Sequence, residues 1–365
     1  MNQTNHHIDR CLPAEWAPQS TVVFAWPHEE SDWAPLLEEA EQCFTEIVST
    51  ASRFQSVSLL CHSDQVAARV NQHLSALPPQ QRQQITLITT PYNDTWVRDY
   101  GPITIQNPHA EGDTRQLLDF TFNGWGNKYS SDLDNRVSQQ LYSAGIWKSI
   151  LGSSPPIKAI DLVLEGGSIE SDGLGTLLTT QHCLTAPNRN QPLHYETICQ
   201  RLKADLGATR ILSLTRGYLE GDDTDGHIDT LARFCDANTI IYQGCQRQED
   251  SHYSELQAMA EELAAFRQVD GSPYQLHSLP LPNPQLNQQG ERLPATYANF
   301  LILNDAVLVP TYHDPADRAA VATIDALFPE RSVIGINCNA LIQQGGSLHC
   351  CSMQIPQWMP PSSLI

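Results

Sequence analysis

The first apolar run, Thr21-Val22-Val23-Phe24-Ala25-Trp26-Pro27, reads as a buried strand ended by proline. After it, Leu37, Ala40, Phe44, Ile47, Val48 and Ala51 recur at helical spacing and predict a helix over about 34–53, with Ser31 or Asp32 as its cap. A strand at 57–61, a helix at 64–74 and a strand at 85–89 complete a β-α-β unit. The rhythm then repeats, with β runs at 117–122, 159–164 and 176–180, a helix near 194–206 and a strand at 210–214. Strands at 228–234 and 239–242 precede a helix near 251–266. Beyond a polar, proline-rich loop at 280–294, the pattern predicts strands at 298–303 and 306–310, a helix at 315–328, and strands at 332–336 and 341–343. No longer linker interrupts this alternation, so residues 1–365 are expected to form a single α/β domain.

Polar residues punctuate the strand ends at a regular interval. Asp99, Glu165, His227, Asn299 and Cys350 are separated by 66, 62, 72 and 51 residues. About five repeated β/α units converging on one centre would account for that interval.

Composition narrows the function classes. Hydrophobic content of 41% and charged content of 17% are those of a globular protein. No apolar run reaches about 18 residues, so no membrane-spanning helix is expected. The stretch Met1-Asn2-Gln3-Thr4-Asn5-His6-His7 lacks the basic start and apolar segment of a signal peptide, which points to the cytoplasm. Ten scattered cysteines with no CxxC pair then read as mostly reduced core thiols. The formal charge of −20 opposes nucleic-acid binding and favours a small cationic partner. A homodimer is the default expectation for assembly.

The candidate chemistry lies in four motifs. In Trp96-Val97-Arg98-Asp99-Tyr100-Gly101-Pro102, a buried carboxylate adjoins an arginine, and a structural ion pair is the simpler reading. In Leu164-Glu165-Gly166-Gly167-Ser168, a glutamate ends an apolar strand and two glycines turn the chain. In Gly226-His227-Ile228-Asp229, a strand would set His227 and Asp229 on one face. The acidic run before it (Asp222, Asp223, Asp225) echoes a calcium loop, but the register puts Gly221 first and Ala232 twelfth, where a glutamate is needed. There is no HExxH-type spacing, and no metal is expected. The last motif is Gly345-Gly346-Ser347-Leu348-His349-Cys350-Cys351, two flexible glycines followed by a histidine and two thiols. Taken alone, Cys350 and Cys351 are indistinguishable, and a lone cysteine is most often a small core residue. A thiolate among several carboxylates makes sense if the substrate brings positive charge. A guanidinium, planar and gripped by paired carboxylates, does so.

Six motifs occur in one order: Leu12-Pro13-Ala14-Glu15-Trp16, Trp26-Pro27, Asn93-Asp94-Thr95-Trp96-Val97-Arg98-Asp99, Leu164 to Ser168, Gly226 to Asp229, and Gly345 to Cys350. Together they resemble the agmatine deiminase family, which is related to the bacterial peptidyl-arginine deiminases, over almost the whole chain. The resemblance implies a five-bladed α/β propeller of the pentein type with its active site in a central channel. It implies Cys350 as nucleophile, His227 as general acid/base, Glu165 as the group orienting His227, and Asp99 and Asp229 as ligands of the guanidinium nitrogens. It implies no metal or organic cofactor, and hydrolysis of agmatine to N-carbamoylputrescine and ammonia, a reaction of putrescine biosynthesis. His349 is then less suited than His227 to serve the thiol, since strand neighbours face apart, and Cys351 is expected in the core. Family members commonly carry Gly-Gly-Gly-Asn before the histidine-cysteine pair, whereas this chain has Gln344-Gly345-Gly346-Ser347, and Cys351-Ser352-Met353-Gln354 after it also departs from the usual pattern. These departures bear on the substrate's far end. Peptidyl-arginine deimination, amidino transfer through the same cysteine, and a silent polyamine-binding relative are the alternatives.

Overall fold

The computed structural model describes residues 10–107 and 109–358; the Met1 to His7 stretch and the extreme ends of the expected domain lie outside them. Five separate sheets carry the strands. The first has the order Ser352–Pro356, Gln19–Ala25, Val57–Cys61, Ile85–Thr89, so a strand from the end of the chain pairs with one from its start. The second joins Ile103–Ile105, Gln116–Thr121 and Ile157–Val163. The third joins Ile169–Ser171, Thr176–Thr180 and Arg210–Leu214. The fourth joins Ala232–Asp236, Thr239–Gln243 and Gln275–Leu279, and the fifth Leu301–Ile302, Ala306–Thr311 and Ser332–Asn337.

Each sheet is built alike. A short strand runs antiparallel to a central strand, and the central strand pairs in parallel with the next. Parallel pairing needs a crossover, which explains the helices Leu37–Ala51, Tyr195–Leu206, Tyr253–Ala265 and Asp317–Leu327. Their apolar stripes face the sheets; in the first, Ala40, Phe44, Ile47, Val48 and Ala51 are fully buried. Of these, Phe44, Ile47 and Val48 each contribute about 1.5–3 kcal/mol on burial.

Several expectations need correction. The 228–234 run is not one strand: Ile228–Thr230 forms a 3-10 turn, and the strand starts at Ala232. His227 and Asp229 therefore do not share a strand face. Residues 341–343 belong to a 3-10 turn, Leu341–Gln344, because so short an apolar run carries no period to separate strand from helix. The 298–303 strand shrinks to Leu301–Ile302. Pattern reading also missed the short strands Ile103–Ile105 and Ile169–Ser171, and the strand expected at the cysteine pair begins only at Ser352, which leaves His349 and Cys350 on a turn.

Among the described residues no helix is long and apolar enough to cross a membrane. All ten cysteines are free, nine of them buried and Cys199 half-buried.

Candidate active site

Every sheet begins with its short antiparallel strand, and a polar residue stands just before each. Asp99 precedes Ile103, Glu165 precedes Ile169, Asp229 precedes Ala232, Asn299 precedes Leu301, and Cys350 precedes Ser352. A side chain on a turn entering a short strand escapes the strand's alternation and can be aimed inwards. Five sheets thus each deliver one group.

Cys350 sits on such a turn and is 5% exposed. The Asn299 amide donates from Nδ2 to its Sγ at 3.2 Å and to the Asp229 carbonyl at 3.3 Å. Asn299 Oδ1 accepts from the backbone N–H groups of His349 at 3.0 Å and Cys350 at 3.3 Å, so one side chain shapes the turn and touches the thiol. Asp229 Oδ2 lies 3.7 Å from the same sulfur. Cys351 points the other way, fully buried, toward the Leu348 carbonyl.

Asp99 occupies the short helix Val97–Tyr100. Its neighbour Arg98 is not its partner. Arg98 donates to Gln354 Oε1 at 2.7 Å and to the His349 carbonyl at 3.3 Å, tying this helix to the cysteine turn. Asp99 instead accepts from the Gly167 backbone N–H and from Trp125 Nε1, both at 2.9 Å. Trp125 reaches it from a left-handed backbone with φ 53°, an uncommon conformation for a bulky residue. Gly167 has to be a glycine: a Cβ there would stand 2.6 Å from His227 Nδ1 and 3.0 Å from oxygens of both Asp99 and Asp229.

His227 is fully buried, with Nδ1 3.7 Å from Asp99 Oδ1, and neither ring nitrogen has a hydrogen-bond partner. The acidic loop before it already has partners. Asp222 accepts from the N–H groups of Thr224 and Gly226, Asp223 from Tyr129 Oη, and Asp225 from Arg189. Glu165 lies near His227 without bonding to it; its Oε1 accepts from Arg189 Nε at 2.8 Å, both groups being buried. Arg189 came from a polar stretch without periodicity, and nothing in the sequence pattern singled it out.

The electrostatics follow from burial. Burial, then the Asp229 and Asp99 carboxylates, push the Cys350 thiol well above its ordinary value, with Ser347 and Asn299 pulling back. Burial also lifts Asp99 to about 6, His227 opposing and Asp229 and Glu165 reinforcing. Burial alone would depress His227, but Asp99, Cys183 and Glu165 raise it well above the usual imidazole range. Burial and the two carboxylates thus favour the neutral thiol, Asp99 and Glu165 favour the charged form of His227, and a cation placed between the carboxylates would favour the thiolate.

A narrow cleft opens onto Cys350, lined by Asp32, Asp94, Trp96, Asp99, Trp125, Tyr129, Asp223, Thr224, Gln344, Gly345 and Gly346. Four of those are carboxylates and none is basic. The departures from the family pattern fall largely elsewhere. Ser347 is buried beside Tyr312, and Ser352, Met353 and Gln354 face Arg98. Among the described residues, two groups of side chains could approach a metal ion, Glu165 with Cys183 and His227, and Glu15 with Glu170 and His349. A guanidinium already serves each: Arg189 pairs with Glu165, and Arg233 with both Glu15 and Glu170.

The sequence signature of the Porphyromonas-type peptidyl-arginine deiminases spans residues 11–356. A curated protein from Marinomonas sp., provisionally described as an agmatine deiminase, is 32% identical over 95% of this chain and 94% of its own. A structure from Porphyromonas gingivalis, provisionally described as an arginine deiminase, superposes with a TM-score of 0.87 at 44% identity, covering 95% of this chain and 98% of that one. An agmatine deiminase of C. jejuni, a cysteine-to-serine variant with substrate bound, gives a TM-score of 0.85 at 37% identity, over 95% of this chain and 96% of its own.

Proposed function

This chain belongs to the Porphyromonas-type peptidyl-arginine deiminase family, and from that membership and its site we propose that it hydrolyses the guanidinium of agmatine to N-carbamoylputrescine and ammonia. The observation that carries the reading is a buried thiol 3.7 Å from a carboxylate, at the floor of a cleft with four carboxylates and no basic side chain among its described lining.

The reaction follows from the placement of the groups. Asp99 and Asp229 hold the guanidinium nitrogens, and the cation's charge offsets the field that keeps Cys350 protonated. The Cys350 thiol releases its proton to water, and the thiolate attacks the guanidinium carbon. His227, held protonated by its carboxylate neighbours, gives a proton to the leaving nitrogen, and ammonia departs. The carbon remains on sulfur as an amidino thioether. His227, now neutral, takes a proton from water as that water attacks the same carbon. Collapse returns the thiol and releases the ureido product. Glu165, braced by Arg189, supports the charged form of His227.

The family's other substrate class, a peptide with a C-terminal arginine, would bring a carboxylate toward Asp32, Asp94 and Asp223 and would meet like charge. Agmatine instead ends in an amine, which these acids suit. The five sheets, each delivering one group ahead of its first strand, suit the blades of a closed pseudo-fivefold propeller around a central channel. The product lies one carbamoyl-removing step from putrescine, which gives the enzyme a role in polyamine synthesis in the cytoplasm.

Purified protein incubated with agmatine should release ammonia, and a peptide ending in arginine should be a far poorer substrate. Cys350→Ala should abolish release, and an amidino adduct on Cys350 should be visible by mass spectrometry in rapidly quenched parent enzyme. Turnover that survives Cys350→Ala would refute the mechanism.

A further inference from the structure

We propose that Glu15 and His349 form a positioning relay for Asp229, fixing one carboxylate oxygen so that the other is free to receive the guanidinium, and sharing the charge that Asp229 would otherwise impose on Cys350. The proposal builds on the guanidine-hydrolysing role of the site.

The geometry is specific. His349 is buried, with Nδ1 2.7 Å from Asp229 Oδ2 and Nε2 2.7 Å from Glu15 Oε2. Ionised carboxylates only accept hydrogen bonds, so both ring nitrogens must carry hydrogen to satisfy both partners, which is the imidazolium form. Asp229 Oδ2, the oxygen held by His349, is also the one 3.7 Å from the Cys350 sulfur. The other oxygen, Oδ1, is buried without any hydrogen-bond partner. An unpartnered buried carboxylate oxygen is costly unless something later fills it, and a guanidinium N–H is the group the site awaits.

Glu15 is itself anchored. Its Oε1 accepts from the Ile302 backbone N–H at 2.8 Å, and Arg233 pairs with its Oε2. Arg233 also pairs with Glu170, donates to the Phe300 carbonyl at 2.6 Å, and lies 4.7 Å from the Phe300 ring centre. The charged groups facing the relay are Glu15, Glu170, Asp229 and Asp99 against Arg98, Arg233, His349 and His227. Four acidic groups thus meet four basic ones when both histidines carry two ring hydrogens. Burial opposes ionisation of Glu15 and Asp229, yet Arg233 and His349 for the first, and His349, His227 and Arg233 for the second, hold both below the usual carboxylate range. Glu15 lies on the far side of His349 from the thiol and touches no reacting atom. It acts through the ring, which makes it a positioning residue.

The test uses the full chain with His349→Gln, Glu15→Gln, Glu15→Asp and the double variant, each checked for folding by circular dichroism and melting. The first readout needs no substrate: the rate at which iodoacetamide alkylates Cys350 near pH 8, followed on the Cys350 peptide by mass spectrometry. His349→Gln should slow it about tenfold or more, because Asp229 then presents its full charge to the sulfur. The second is steady-state kinetics with agmatine. Glu15→Gln should raise KM about tenfold with a smaller fall in kcat, because Asp229 loses its fixed orientation. Glu15→Asp, which keeps the charge, should recover part of that loss. The double variant should be no worse than His349→Gln alone, as expected for residues acting in series. Alkylation and KM that match the parent in these variants, whatever their melting temperatures, would overturn the relay. Parent protein that never turns over agmatine, combined with slowed alkylation in His349→Gln, would sink the substrate reading and leave the relay standing.

Discussion

Arg189→Leu should both unfold the protein more easily and impair it. The Arg189 guanidinium is almost completely buried and makes three contacts: Glu165 Oε1 at 2.8 Å, Asp225 Oδ2 at 2.6 Å and the Thr224 carbonyl at 2.8 Å. Asp225 is partly exposed and retains Lys128 at 2.9 Å, so its loss is small. Glu165 has no such recourse, being 1% exposed. Removing one partner of a buried pair typically costs about 3–5 kcal/mol, because the remaining charge is stranded. An unfolding entropy of about 2.1 cal/mol/K per residue gives about 0.77 kcal/mol/K for a chain of this size. The melting temperature should therefore fall by about 4–7 °C, read by scanning calorimetry. Adding Glu165→Gln to the same background removes the stranded charge and should return a good part of that loss. Ammonia release from agmatine should stay depressed in both, since Glu165 loses the brace that sets it beside His227 and, in the double variant, its charge as well. A single variant that melts within about 1 °C of the parent, or no recovery in the double variant, would refute the reasoning.

Binding of agmatine to a Cys350→Ala protein, measured by isothermal titration calorimetry, should weaken about tenfold per pH unit below about 6, because Asp99 must be ionised to hold a cation and burial raises it to about 6. Affinity that stays flat down to about pH 4.5 would contradict this. Asn299→Leu removes the amide donor 3.2 Å from the thiol; a hydrogen bond to a charged group is worth about 1.5–3 kcal/mol, so kcat should fall about 10- to 150-fold. Gly167→Ala drives a methyl to within 2.6 Å of His227 Nδ1 and should cut kcat/KM about a hundredfold or more, with a stability loss of about 1–3 kcal/mol seen in urea unfolding. Activity within about threefold of the parent would mean that the site relaxes around the methyl.

Periodicity carried most of the larger elements because it reports burial along one element at a time. The stripe Ala40, Phe44, Ile47, Val48, Ala51 is the face that Leu37–Ala51 buries, and the strands Val57–Cys61, Ile85–Thr89, Thr176–Thr180 and Arg210–Leu214 have the expected limits. It failed where elements are two or three residues long, as at Ile169–Ser171 and Leu301–Ile302. So few residues hold less than two periods of alternation, and their pairing with a distant strand decides their shape. The recurring polar markers Asp99, Glu165, His227, Asn299 and Cys350 were visible as a spacing because each repeated unit ends at the same structural point.

Partners were a different matter. Adjacent in sequence, Arg98 and Asp99 invited an ion pair, yet the short helix turns Arg98 toward Gln354 and Asp99 toward Trp125. Glu15 reaches His349 across 334 positions, and Arg189 finds Glu165 from an unpatterned loop. A sequence determines which side chains can be charged, reactive or buried, since those are properties of residues and of local period. Which charge faces which is set by the docking of five sheets, where a buried ion must find its counter-ion wherever the fold brings one, and that is why the surroundings of Cys350 became readable only in three dimensions.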